Sequence, residues 1–409
     1  MNNKAFTLIE VMATVLIIAA IALLSFPVLT NVVKKNGEIS ETSFKESAIL
    51  AAKTYCNLNN KGIDCSVSIE QLIKESYLDK PTNKQIEYKG LSINCNKGNC
   101  KFRQTAVQEL LAKTNPESVT VYEQGSEASH QMYTFSHPAT EQTEALTDYR
   151  YIGKDPYNYV DFNCDDNGEN CETWRIVGVF TVKNGDKEEQ RIKMIVDKSY
   201  IDKDWNTINN PFDNWNSVSE WPSSTLNTYL NGEYYQNMSS LTKSMIEPAE
   251  TYLGGGVKDS IANYGSASDM YVWERGTARY DSSRSIKDTK NITLLYPSDY
   301  TYTYANGVDN VCYNDGNNCY GPAYGGIASP EKGWLYNKSY YWWLVSPIST
   351  TDGRVFIVYK EQGLDSSEVK PRWDFQNSII VYPVVYLSAD VELDGNHTGS
   401  STDHYRLKK

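Results

Sequence analysis

Apolar and polar positions follow three regimes along the chain. Residues 11–33 are one nearly unbroken apolar run, interrupted only by Thr14, Ser25, Pro27, Thr30 and Asn31. Those 23 positions span about 34 Å as a helix, enough to cross a bilayer. An amphipathic stretch follows, with Phe44, Ala48, Ala51 and Tyr55 at steps of four, three and four, and Glu41, Lys45, Glu46 and Lys53 between them. The pattern predicts one long helix from about Phe6 to Tyr55, kinked near Gly37, half in membrane and half laid on a globular head. Ser68 reads as the N-cap of a short helix over 69–78 that Pro81 stops, and residues 86–88 and 91–94 read as strands.

From Asp148 the periodicity shortens. Residues 174–180, 191–196, 354–359 and 379–387 are β-branched runs separated by loops rich in Gly, Asn, Asp and Ser. Helices are expected over 224–230, ending at Asn231-Gly232, and over 240–246. Residues 105–147, rich in Thr, Glu, Ser and Gln, read as a connector with a helix near 107–111. Residues 396–409, with His397 and His404, read as a tail.

Composition sharpens the division. The 409-residue chain carries a net charge of −12, and all nine tryptophans lie after residue 150. Residues 1–150 hold 15 Lys/Arg against 16 Asp/Glu, whereas residues 151–409 hold 24 against 35. A surface that acidic repels phosphate backbones, so no nucleic-acid partner is expected.

The eight cysteines form four close pairs: Cys56/Cys65, Cys95/Cys100, Cys164/Cys171 and Cys312/Cys319. Local pairing is the simplest of 105 connectivities, since the pairs bracket turn-forming residues. Each such loop contributes about 2–3 kcal/mol. Zinc sites favour two to four intervening residues, which only Cys95/Cys100 approaches, so disulfides and an oxidising compartment are preferred.

Glu10 is the charge that stands out, a carboxylate where a membrane helix begins, and an intramembrane acid marks a functional site. The run Lys4-Ala5-Phe6-Thr7-Leu8-Ile9-Glu10 resembles the processing site of type IV pilins and pseudopilins, as does Pro27 within the apolar helix. The resemblance implies that a membrane peptidase removes residues 1–5, cutting between Ala5 and Phe6, and methylates the new amine. The family usually has Gly where Ala5 stands. It also implies that Glu10 of one subunit neutralises the Phe6 amine of its neighbour, a pairing that is strong in a low-dielectric bundle and sets subunit register. Other pilin subunits, the prepilin peptidase and the cytoplasmic membrane are the implied partners. The chain would sit in that membrane before assembly and in an extracellular filament afterwards.

In the second half, Tyr151-Ile152-Gly153, residues 174–179, 230–235, Tyr341-Trp342-Trp343-Leu344-Val345-Ser346-Pro347 and residues 382–387 resemble a bacterial extracellular domain family. That family is similar to the C-type-lectin-like fold, which includes the formylglycine-generating-enzyme-like proteins. The expected class is α+β: a long pilin helix with a small α/β head over 6–104, whose residues 6–33 form the membrane and filament helix, then a larger irregular lectin-like domain with short antiparallel strands over 148–395.

No catalytic residue is singled out and no enzyme is expected. A glycosidase needs two facing carboxylates, and nothing selects a pair from Asp299, Glu331, Asp352 and Asp374. Residues 163–168 place oxygen ligands as a calcium loop does, but Trp174 stands where the bidentate Glu belongs. A disulfide-closed turn with solvated acids is preferred, so no metal or cofactor is expected, with calcium as the weaker reading. Binding is the better functional class. Trp342, Trp343 and Trp373 are the candidate ligand contacts, because large aromatics stack on sugars and anchor interfaces. Trp342 and Trp343, adjacent in a strand, should face opposite sides, so only one need be core. The expected function is a minor or tip filament subunit presenting an adhesin-like domain to a glycan or cell-surface ligand. The alternatives are a structural pseudopilin of a secretion or DNA-uptake machine and a surface-anchored hydrolase.

Overall fold

The computed structural model describes residues 41–59, 65–81, 88, 91–96, 98–114, 132–165, 167–184, 187–205, 220–255, 267–278, 282–303, 313–314, 319–320, 333–335, 338, 341–347, 354–359, 363–368 and 379–409. Its mixture of helix and sheet is α+β, and the chain divides into two compact units, Met1–Arg103 and Gln104–Lys409. The apolar run over 11–33, with Ala5, Phe6 and Glu10, lies outside the described residues. Among the described residues, no helix is long and apolar enough to cross a membrane.

In the first unit, residues 41–59 are helical (α1) and bury Phe44, Ala48, Ala51, Ala52 and Cys56. A three-stranded antiparallel sheet follows, formed by β1 (Cys65–Ser68), β2 (Ser92–Asn96) and β3 (Asn99–Phe102). Ser68 caps α2 (Ile69–Lys74), its side chain accepting from Gln71 N. That helix stops sooner than Pro81 requires, because Ser76 turns left-handed at φ 63°. The Cys56–Cys65 and Cys95–Cys100 disulfides close this unit, and Cys164–Cys171 lies in the second. The Cys312/Cys319 pairing lies outside the described residues.

The second unit begins at Gln104 and takes in the stretch expected as a connector. Thr105 and Gln108 form a capping box for α3 (Ala106–Ala112), and Ala106 N donates to Val391 O at 2.7 Å. The next strands are β4 (Tyr133–His137), β5 (Leu146–Arg150), β6 (Tyr159–Phe162), β7 (Glu172–Asn184), β8 (Lys187–Val196) and β9 (Ile201–Asp202). A helical stretch follows with α4 (Thr225–Tyr229), a π-turn over Leu230–Tyr234, α5 (Tyr235–Asn237) and α6 (Ser240–Met245). Then come β10 (Ala249–Tyr252), α7 (Ala267–Glu274), β11 (Lys287–Lys290), β12 (Ile292–Thr293) and α8 (Pro297–Tyr302). The chain continues through β13 (Tyr313–Asn314), β14 (Cys319–Tyr320), β15 (Tyr341–Pro347), β16 (Arg354–Tyr359) and β17 (Gly363–Glu368). It closes with β18 (Ile380–Val381), β19 (Val384–Tyr386), β20 (Glu392–Asp394) and β21 (Tyr405–Lys408).

Two sheets organise this unit. The larger has nine strands, ordered β12-β19-β8-β7-β6-β21-β20, with β5 also paired to β7 and β4 to β5. The smaller has five, ordered β17-β16-β15-β18-β9. Residues 379–387, expected as one strand, serve both. Pro383 has no N–H to give a ladder, and the chain leaves the small sheet at β18 and joins the large one at β19. Residues 396–409 are not a tail: β21 lies between β6 and β20, with Tyr405 buried. The helix at 224 likewise runs past Asn231-Gly232. The Asn231 side chain donates to Ile292 O and accepts from Ile292 N, both at 2.9 Å, so this segment is tied to β12.

Candidate functional site

The structure removes the exposed aromatic platform from β15. Trp342 and Trp343 do face opposite sides, but both sides are covered, and the two are 1% and 2% exposed. Trp342 meets Tyr300 and Tyr382 edge-on at 5.8 and 5.5 Å. Trp343 packs on Trp205 at 5.6 Å, which in turn packs on Trp221 at 5.3 Å. β15 lies between β16 and β18 and is packed on both faces, so neither indole is open to a ligand. Trp373 lies outside the described residues.

Trp343 still bears on a candidate site. Its Nε1 donates to Lys203 O at 3.0 Å, fixing the backbone after β9. That backbone walls a cavity of about 480 Å³, lined by Glu172, Lys198, Tyr200, Asp202, Tyr229 and Tyr234 among others. Tyr200 is 89% exposed. Lys203 Nζ lies 4.4 Å from the Tyr229 ring centre, a cation–π contact. Burial pushes the Tyr234 phenol above its ordinary value, so it stays a protonated donor. Glu172 is held at one wall by Trp174 Nε1 at 2.9 Å. Three phenols with carboxylates and ammonium groups offer apolar faces and hydrogen-bonding edges together, the combination that binds a polyhydroxylated ligand. These tyrosines were missed in the sequence. Tyr229 and Tyr234 flank Asn231-Gly232, and their shared face depends on a π-turn that periodicity does not announce.

A second cluster lies inside the unit. Arg150 Nη1 donates to Asp299 Oδ1 at 2.6 Å and Nη2 to Asp148 Oδ2 at 2.9 Å. Lys193 Nζ donates to Asp299 Oδ2, and His137 Nε2 lies 3.1 Å from Asp148 Oδ2. These five side chains are at most 2% exposed. Gly178 lets β5 carry Arg150 this close to β7, since a methyl there would collide with Tyr149 O. Nearby, Ser298 N and Oγ donate to Glu274 at 2.8 and 2.5 Å, and Arg275 covers the Tyr271 ring at 3.5 Å.

Burial alone would raise Asp299, but Lys193 and Arg150 outweigh it and hold the carboxyl well below the usual range. Asp148 is likewise lowered, burial being outweighed by Arg150 and His137. Burial lowers His137 and Lys193. Glu274 goes the other way: burial pushes it up to about 7 despite Arg275 and the Ser298 hydrogen bonds. The signs differ accordingly. Asp148 and Asp299 supply stability that is lost as pH falls. Glu274 supplies stability that is complete below its ordinary 4.5 and is lost as pH rises through about 7. Glu274→Gln should therefore remove a stability decline on the order of 3 kcal/mol between those pH values. Urea midpoints of residues 104–409 across that window measure it, and an unchanged pH slope would refute the assignment.

Around the 163–168 turn, Asp165 Oδ1 accepts from Asn167 N and Glu169 N at 3.0 and 2.8 Å, and Oδ2 from Asn170 Nδ2 at 2.9 Å. Its carboxylate thus serves the turn closed by Cys164–Cys171. Among the described residues, no group of three or more His, Cys, Asp or Glu side chains is placed to hold a metal ion.

No curated protein and no solved structure matches this chain. Residues 1–26 match the family model of the prokaryotic N-terminal methylation motif, so the chain opens with the N-terminus of a type IV pilin-like protein.

Proposed function

We propose that the chain is a pilin-like subunit of a type IV-type surface filament, a minor or tip subunit that presents its second unit as an adhesin-like head. The methylation motif over residues 1–26 carries the filament half of this reading. Glu10 opens an apolar sequence with no Lys or Arg before Lys34, and a neighbouring subunit's Phe6 amine would neutralise it. The prepilin peptidase and other pilin subunits are the partners this entails. A second unit of about 300 residues would crowd every position of a thin filament, whereas the filament end imposes no such limit.

The phenol-lined cavity beside β9 favours a binding head over a purely structural pseudopilin. A glycan or cell-surface ligand suits its mixture of aromatic and charged groups. The most perturbed carboxylates, Asp299 and Glu274, are fully buried, which disfavours the hydrolase alternative.

Glu10→Gln is the test of assembly. The variant should be cut before Phe6 and inserted normally, yet fall at least tenfold in sheared filaments, as expected when an intramembrane ion pair loses its acid. Intact mass reports the cut and immunoblotting of sheared filaments reports incorporation. Wild-type recovery of the variant would end the assembly role.

A further inference from the structure

Lys193 and Asp299 come together from distant parts of the sequence, one on β8 and the other on α8. Lys193 Nζ sits on Asp299 Oδ2, and both side chains are 0% exposed. The rings of Phe180, Tyr296 and Tyr386 surround the nitrogen, with centres 5.1, 4.8 and 5.3 Å away. Asp299 is itself gripped. Arg150 Nη1 holds Oδ1 at 2.6 Å, Tyr296 N donates to Oδ2 at 3.2 Å, and Glu274 fixes the preceding Ser298. An amine and a carboxyl are thus held in contact in an aromatic, water-excluded chamber, with a fixed guanidinium on the oxygen not facing the amine.

We propose that Lys193 and Asp299 condense into an amide, a self-made covalent cross-link between β8 and α8. The ammonium first passes one proton to Oδ2 within the existing contact. The freed amine attacks Cγ, and the charge that develops on Oδ1 is stabilised by Arg150, which acts as an oxyanion donor. The nitrogen then gives a second proton to Oδ2, the Cγ–Oδ2 bond breaks and water leaves. One N–C bond forms, one C–O bond breaks, and the nitrogen keeps one hydrogen, so no outside reactant is needed. Oδ1 remains as the amide oxygen on Arg150.

Two physical terms favour the step. Holding both groups in one chamber removes the entropy cost of an encounter. Condensation also abolishes two buried charges, whose desolvation a neutral amide does not carry. It removes one charge of each sign, so the balance among Arg150, Arg275, Asp148 and Glu274 is unchanged.

The full-length chain, purified from its producing cells and digested with trypsin, tests this directly. The expected product is a branched peptide joining residues 192–198 to residues 291–332, uncut after Lys193 and lighter than its two parts by one water, about 18 Da. Asp299→Asn should give the same branched product, with the amide nitrogen taking both protons lost by Lys193 and leaving as ammonium. Lys193→Arg and Asp299→Ala should give linear peptides only. Wild-type protein cleaved after Lys193, with residue 299 in a linear peptide, would overturn the proposal and leave a buried ion pair, whatever the variants do.

Discussion

Arg150→Ala is expected to destabilise the second unit by about 3–5 kcal/mol, the loss seen when one partner of a buried ionic group is removed. Arg150 serves two carboxylates at once, and its guanidinium also lies 4.5 and 4.6 Å from the ring centres of Phe180 and Tyr302. Without it Asp148 and Asp299 stay buried, with His137 facing the first and Lys193 and Tyr296 N the second. The deficit should shrink in acid, where the Asp148 carboxyl takes up a proton and no longer needs a cation. Arg150→Lys should recover little, because an ammonium cannot fork between two acids. Urea unfolding of residues 104–409 at neutral and acidic pH would measure both effects. A loss below about 0.5 kcal/mol, the range of an ordinary surface substitution, would mean the network is not structural.

Trp343→Ala and Tyr200→Ala should separate scaffold from contact. Removing the indole leaves a cavity against Trp205 and frees Lys203 O, which should cost about 3–5 kcal/mol in stability. Tyr200, exposed at the mouth of the cavity, should cost less than about 0.5 kcal/mol when truncated. If the cavity is the ligand site, the same truncation should weaken binding by about 2 kcal/mol, roughly thirtyfold. Calorimetry for stability and a glycan array or cell-binding assay for affinity give the comparison. Retained stability in Trp343→Ala would contradict its scaffold role. Unchanged binding in Tyr200→Ala, to any ligand the wild type captures, would move the site elsewhere.

What the sequence discloses about this molecule depends on how local the cause is. Residues 174–180 and 191–196 read as strands because β-branched side chains declare a pleated surface within a few positions, and they lie within β7 and β8. The cysteine pairs were legible for the same reason, since each described bridge spans nine residues or fewer. The 379–387 run was legible as strand but not as two strands. Pro383 was visible, yet only the presence of a second sheet turns it into a crossing point. Trp342 and Trp343 show the same limit from the other side. Alternation correctly assigns them to opposite faces, but whether a face is covered depends on Trp205, Tyr300 and Tyr382, which no window around residue 342 contains. The polar network was hidden altogether, with Arg150 and Asp299 standing 149 residues apart. Tyr200, Tyr229 and Tyr234 were present as letters, but a cavity is a property of several segments together.

The position of β21 has a consequence for biogenesis. It pairs in parallel with β6, Tyr405 opposite Val160, and antiparallel with β20, so it fills an interior slot of the large sheet rather than an edge. Until residues 405–408 have emerged from the ribosome and crossed the membrane, β6 has an unsatisfied flank and β20 has no neighbour to join. The earlier strands cannot complete their ladder during synthesis, and the nucleus must wait for contacts between the most separated parts of the unit, which is the slow kind of topology. For that interval the open strand flanks can template pairing with other chains. Shielding the emerging unit during export thus becomes a requirement of its topology, and truncations that remove residues 405–408 should yield aggregates rather than a slightly shortened head.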